Sequence, residues 1–254
     1  MTTGPIGYAP VPLPSRGLLY GDKLPDGQVW IRKLKVTEEA AIQSSTSGLD
    51  LINASVGACV KLPEGMHHLD LLITDRLALL VALRVFTFGR SYQFGYTCAA
   101  CDAKNRAEAD LATLNDRKAA DGLSEPIEVA LPDAGKTVGL RFLRGRDEAQ
   151  IAKAAKRVAL QSNDPTDSSH ILRLALQVAT IDGEAVDQPK REFFVRDLTM
   201  VDSAIIREAI DEREPGVDLV IHPECKACGT VNDMALPFTA DFFRPARRVA
   251  GGAS

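Results

Sequence analysis

Histidine is scarce in this chain, with four in 254 residues, and the patterns that mark common catalytic sites are missing. The sequence contains no Gly-x-Ser-x-Gly elbow, no phosphate loop, no dinucleotide fingerprint and no His-Glu-x-x-His pair. Gly135-Lys136-Thr137 follows a hairpin turn and lacks the upstream glycine spacing of a Walker loop. The chain is therefore read as a non-enzyme. Long apolar runs are also lacking. Leu77 to Leu83, in the densest stretch, falls far short of the ~20 residues a bilayer span needs. Met1 to Ser15 has neither a basic nor an apolar signal region, so a protein made and kept in a cytosol, with no membrane partner, is expected. Charge of one sign is not in excess either. Thirty basic against 34 acidic residues leave −4, which gives no electrostatic reason to expect nucleic acid as a partner. Hydrophobic residues at 45% and charged residues at 25% exclude global disorder, and the length suits one or two domains.

What is present is a repeat. Asp75 to Cys101 and Asp202 to Cys228 align without gaps, matching Asp75 with Asp202, Ala82 with Ala209, Gly89 with Gly216 and both Cys-x-x-Cys pairs. Upstream, Leu24-Pro25-Asp26-Gly27 before Val29-Trp30-Ile31 corresponds to Leu131-Pro132-Asp133-Ala134-Gly135 before Val138-Gly139-Leu140. The second copy is about 18 residues longer, with insertions expected in 161–169 and 182–191, because surface loops absorb added length. The expected fold is α+β: two tandem pseudo-twofold repeats, each a β-hairpin, helices and a Cys-x-x-Cys knuckle. The boundaries are an extended arm over 1–20, repeat 1 over 21–115, a linker over 116–126, repeat 2 over 127–243 and a tail over 244–254.

Within each repeat the pattern predicts a helix opening at Thr37-Glu38-Glu39 or at Asp147-Glu148, since acids suit a helix N-terminus. Further helices are expected at 49–60 and 169–180. The helix before the first knuckle, from about Thr74 to Phe86, is apolar nearly all round. Its counterpart has capping-box spacing at Thr199 and Asp202 and a stripe of Val201, Ile205, Ala209 and Ile210. Gly89 and Gly216 are expected to stop these helices, and short strands at 91–96 and 218–221 to deliver the cysteines.

Four of the five cysteines are paired in spacing: Cys98 with Cys101 and Cys225 with Cys228. A knuckle supplies two ligands of a tetrahedral site, so two knuckles related by duplication complete one four-cysteine zinc ribbon. Gly229 suits the positive φ such a turn demands; Asp102 stands at the matching place in the first copy. Two alternatives remain open: a redox dithiol, although Thr97-Cys98-Ala99-Ala100-Cys101 lies between strands and opens no helix, and a vestigial pair packed as small apolar groups. His222 precedes Cys225 by three residues but matches Gly95 in the first copy. Cys59 sits on an apolar helical face with Ile52 and Val56 and reads as core. His67-His68 reads as a solvated loop, and His170 is unpaired in sequence.

Gly4 to Pro14 is too rich in proline for a helix. It reads either as a disordered leader or as an extended segment laid on a neighbouring subunit, with Ile6, Tyr8, Val11 and Leu13 as candidate anchors. Near the other end Phe238, Phe242 and Phe243 either close the core or dock on a partner.

Pro14-Ser15-Arg16-Gly17-Leu18-Leu19-Tyr20, Leu72-Ile73-Thr74-Asp75 leading through Arg84 and Phe88-Gly89 to the first cysteine pair, Cys225-Lys226-Ala227-Cys228-Gly229, and Leu236-Pro237-Phe238 running to Phe242-Phe243-Arg244-Pro245 together resemble the T4-type bacteriophage baseplate protein family over about residues 12 to 245. That family includes baseplate hub subunits and a hub-assembly factor of contractile tails. The resemblance implies a structural or assembly component with no catalytic residue, present in several copies per tail. It would be built in the host bacterial cytoplasm and carried in the virion tail baseplate, contacting other tail proteins through the N-terminal arm and Phe242/Phe243. The competing reading is a zinc-ribbon nucleic-acid binder, which requires a basic face; Arg141, Arg144 and Arg146 cluster in sequence, with Arg247-Arg248 in the tail. A metal-dependent hydrolase or redox enzyme would need an open metal position or a solvent-facing dithiol.

Overall fold

The computed structural model describes residues 5–45, 47–161 and 169–244. It is α+β, with seven α-helices and several small antiparallel sheets among the described residues. Strand β1 (Tyr8–Pro12) pairs antiparallel with β2 (Gln28–Arg32), from Tyr8 opposite Arg32 to Pro12 opposite Gln28. Helices α1 (Val36–Gln43) and α2 (Gly48–Cys59) follow, and β3 (Val60–Lys61) returns to the free side of β2. Ser47 caps α2 by accepting the Asp50 N–H.

The N-terminal segment is therefore built into the chain's own fold, where it was expected to be ordered only by a neighbour. It supplies the first strand of its own sheet and, with it, the hairpin strand that the sequence pattern did not locate. Leu13 N donates to Gly27 O at 2.7 Å, and period-two alternation from there turns the donor-less Pro10 and Pro12 away from β2. An edge strand tolerates proline in that phase, and the free edge then offers no N–H to a foreign strand. Leu13 is 2% exposed in the main core, whereas Ile6 is fully exposed and anchors nothing within the chain.

Beyond β3, helix α3 (Ile73–Phe88) runs through the centre, with Leu79, Leu80 and Leu83 wholly buried, as its all-round apolar composition requires. Strands β4 (Ser91–Thr97) and β5 (Lys104–Asp110) form a hairpin. The expected linker carries β6 (Asp116–Arg117), and its Ala119 is buried, with Ala119 N donating to Pro14 O.

The next stretch repeats the order. Strands β7 (Ile127–Leu131) and β8 (Lys136–Leu140) pair; α4 (Gly145–Gln161) and α5 (Ser169–Gln177) follow; β9 (Val178–Ile181) returns beside β8. The expected helix over 169–180 ends at Gln177, whose carbonyl accepts Arg141 N and passes the chain into the sheet. Of the two expected insertions, 162–168 lies outside the described residues. The other forms β10 (Glu184–Ala185) and the start of α6 (Gln188–Asp197), which have no counterpart between β3 and α3. Then come α7 (Met200–Arg213), β11 (Gly216–Val217) on β6, and β12 (Val220–Ile221) paired with β13 (Met234–Ala235).

Two details of α7 differ from the sequence pattern. Val201 is 56% exposed, and Ile206, Ala209 and Ile210 are the apolar residues buried, so the stripe is rotated relative to the expected one. Gly216 is not the helix stop. The helix ends before Pro215, and a Cβ at Gly216 would stand 3.1 Å from Thr74 Cβ, so the glycine serves the close approach of β11 to α3.

Asp75 and Asp202, in the first turns of α3 and α7, are both wholly buried. Asp75 accepts Ser15 N at 3.0 Å and Tyr20 OH at 2.5 Å; Tyr20 OH in turn accepts Leu72 N. Burial pushes the Asp75 carboxyl up, opposed by those donors. Asp202 accepts Asp133 N and Ala134 N. Each carboxylate thus ties a helix to the connection between the two strands of a hairpin.

One continuous core gathers side chains from Leu13 to Phe243. Phe242 is fully buried and Phe243 nearly so; Phe242 meets Tyr92 and Phe238 edge-on at 4.9 and 5.0 Å. Both rings close the core, which corrects the expectation that Phe242/Phe243 reach a partner: a side chain packed at this density has no surface to offer. Because β1 is integral, Leu13→Ala should cost about 2–5 kcal/mol. Deleting residues 2–13 should lower the melting temperature further; thermal unfolding followed by circular dichroism measures both.

Candidate metal centre

Strand β4 alternates strictly, burying Tyr92, Phe94 and Tyr96, and this phase carries Cys98 into the interior at its end. The chain then turns through Cys101 into β5. Cys98 N donates to Ala103 O, and Asp102 N to Cys98 O at 3.0 Å. The second knuckle has the same bonds: Cys225 N to Thr230 O, and Gly229 N to Cys225 O at 2.8 Å. Both turns need a left-handed residue, and Asp102 (φ 56°) and Gly229 (φ 74°) supply it.

The two knuckles face each other. Cys98 Sγ lies 3.8 Å from Cys228 Sγ, and Cys101 Sγ 3.7 Å from Cys225 Sγ; all four sulfurs lie within 4.8 Å of one another. A tetrahedral ion with bonds of ~2.3 Å to sulfur spaces its ligands about 3.8 Å apart, so the donor set fits one four-coordinate thiophilic metal ion. Disulfides do not describe the site, because an S–S bond is about 2.05 Å and all four thiols are free. Passive apolar packing does not describe it either. Cys101 and Cys228 are exposed, while Ala100 N and Ala227 N each donate to the first sulfur of their knuckle at 3.4 Å.

The electrostatics of the four sulfurs are compatible with a bound cation. The backbone N–H groups of Cys228 and Ala227, helped by the Asn105 amide, bring the Cys225 thiol down to about 6. Although Ala103 N–H favours its thiolate, Cys101 is pushed up to about 12, led by the neighbouring Cys228. Four sulfurs this close cannot all ionise without mutual repulsion, and a bound cation would remove that conflict.

Two residues of this centre escape the sequence pattern. Asn105 and Asn232 are buried and stand four residues past the second cysteine of each knuckle. Each amide reaches across to the other knuckle. Asn105 Oδ1 accepts Lys226 N at 3.1 Å, and Asn232 Oδ1 accepts Ala99 N at 3.0 Å. Each Nδ2 also donates to the backbone of its own turn, Asn105 to Ala103 O and Asn232 to Thr230 O. The 127-residue offset that aligns the cysteines aligns these asparagines too, and that was the available signal.

The other candidates lie elsewhere. His222 pairs with Asp233 at 2.7 Å and is not in the ligand group. Cys59 is buried in the core, as expected, and its thiol is pushed up to about 11 by burial. His68 is not a solvated loop residue: it is half-buried against Gly57, and desolvation draws its pKa down to about 4. His170 lies 3.3 Å from Arg207.

Asn105→Ala and Asn232→Ala should each weaken metal binding about 10- to 100-fold, as loss of a ligand-orienting partner does. The two effects should be similar in size, and competition with a chromogenic chelator measures them.

A family model described as T4 bacteriophage base plate protein matches residues 20–244, a span that contains all four cysteines and both asparagines. No curated protein and no solved structure matches the chain significantly. With most of its length covered by that one model, the chain belongs to the T4 bacteriophage base plate protein family.

Proposed function

We propose that this protein is a structural or assembly component of a contractile phage tail baseplate, at or next to the hub, acting through protein–protein contacts and without catalysis. The observation that carries the reading is the family match, which spans both knuckles and nearly all of the core. A site with four protein ligands leaves no open coordination position for a substrate, which favours a structural metal. We take the metal to be zinc. It is borderline-soft and has no redox chemistry, and when bound it neutralises clustered thiolates. Cys98, Cys101, Cys225 and Cys228 hold it, and Asn105 and Asn232 fix the two turns against each other.

The same reading includes an internal duplication. Its support is the shared order of hairpin, two helices, returning strand, buried helix and knuckle over 8–110 and 127–235, together with the reciprocal amides. Protein assembly is favoured over nucleic-acid binding because the clustered arginines are already paired: Arg141 with Asp147, Arg144 with Glu125 and Arg146 with Asp70. Among the described residues no helix is long and apolar enough to cross a membrane. Several copies per tail, assembled in the host bacterial cytoplasm, complete the proposal.

Metal analysis of the purified chain and of tails from cells expressing it tests this reading. The expected result is one zinc per chain, lost in Cys225→Ser, and a variant that fails to enter baseplates. Two metals per chain or unchanged content in Cys225→Ser would contradict the shared site, and iron in place of zinc would contradict the choice of metal. Tails that assemble normally without the protein would contradict the baseplate role.

A further inference from the structure

On the far side of the second sheet, α4 and α6 form the walls of a groove of about 370 Å³ whose floor is α5. The walls run in the same direction. Gln150 of α4 donates to Gln188 of α6 at 2.8 Å, which closes one end, and Arg157 and Arg196 stand at the other. From Gln150 to Arg157 is seven residues, or roughly 10 Å at 1.5 Å per residue, the length of about two helical turns. The floor is apolar, made by Ile171 and Leu172, with Ala154 beside them.

The charge of this groove is one-sided. Lys153, Arg157 and Arg196 are exposed, and among the described residues none of their side chains has an ion pair or hydrogen bond. This contrasts with Arg141, Arg144 and Arg146, which are all neutralised. Among the described residues Glu192 is the one acid lining the groove, and it accepts a hydrogen bond from Gln188. Three cations unpaired among the described residues, along a groove about two turns long with an apolar floor, match the apolar stripe and acidic flanks of an amphipathic helix. Nucleic acid fits less well. Its backbone gains nothing from Ile171 and Leu172, and the acid in the wall and the net charge of −4 oppose it.

We propose that the α4–α5–α6 groove docks an acidic amphipathic helix of a neighbouring tail protein. The inference rests on the baseplate reading and names the chemistry of one partner within it.

The test places p-benzoylphenylalanine at position 153 of the full chain in cells that assemble tails. Position 128, on an exposed strand residue, is the control. After irradiation, the cross-linked segment is identified by mass spectrometry. The same chain carrying Arg157→Glu and Arg196→Glu is compared, with retained metal content as the check on folding. The expected product is a helical segment rich in Asp and Glu from another tail protein, with a yield at least tenfold lower in the charge-reversed chain. A cross-link to nucleic acid, to a second copy of this chain or to a non-acidic segment would overturn the proposal, as would a yield no higher than at position 128 or one unaffected by charge reversal. In those cases a chain still found in tails leaves the baseplate reading intact. A chain that never enters tails removes both.

Discussion

Two hairpin tips, 127 residues apart in sequence, have to meet with their sulfurs less than 5 Å from one another. That constraint is severe because each tip is the end of a separate strand pair, and it holds only if the elements behind the tips are rigidly placed. The amides of Asn105 and Asn232 show how the meeting is stabilised locally: each accepts a backbone N–H of the opposite turn. A cation shared by the four thiolates would add a cross-link across a loop of more than 120 residues. In the chain-entropy picture of cross-links, closing a loop of that size restricts the unfolded chain by roughly 4–5 kcal/mol.

Behind the tips the same economy recurs. The helix leading to each knuckle begins with a buried aspartate, and each aspartate accepts backbone N–H groups from the loop of a hairpin. A carboxylate buried without donors would be strongly destabilising, so the loops and the helices fix one another. Asp75 adds Tyr20, whose hydroxyl passes the connection on to Leu72 at the start of α3. Phe238, Phe242 and Phe243 then cover β4, so the strand that leads to the first knuckle rests on the same core as the helices. A rigid body of this kind suits a part that is read by its neighbours as a surface.

The four-cysteine cluster was legible in the sequence because a Cys-x-x-Cys spacing encodes a local turn, and the matched spacing of the two pairs pointed to turns that meet. The boundaries of α2 and the hairpin β7–β8 were legible for the same reason: capping serine, alternation and turn residues act within a few positions. The role of β1 was not. Its prolines argue against a strand until the partner is known, and only the register to β2 reveals that they lie on the free edge. Phe242 and Phe243 were ambiguous because a terminal aromatic cluster has the same composition whether it faces Tyr92 or a neighbour. Asn105 and Asn232 were missed although the alignment contained them, since asparagine near a turn is usually read as turn chemistry. The rotated face of α7 shows a further limit: Val201 and Ile206 differ in burial through where α7 sits, which helical periodicity alone does not specify.

The central claim is that one metal ion joins the two knuckles through four sulfurs. X-ray absorption at the metal edge of the purified, unmodified chain tests it most directly. The account predicts a first shell of four sulfur atoms at about 2.3 Å with no light-atom scatterer. A shell containing nitrogen or oxygen, or fewer than four sulfurs, would contradict it.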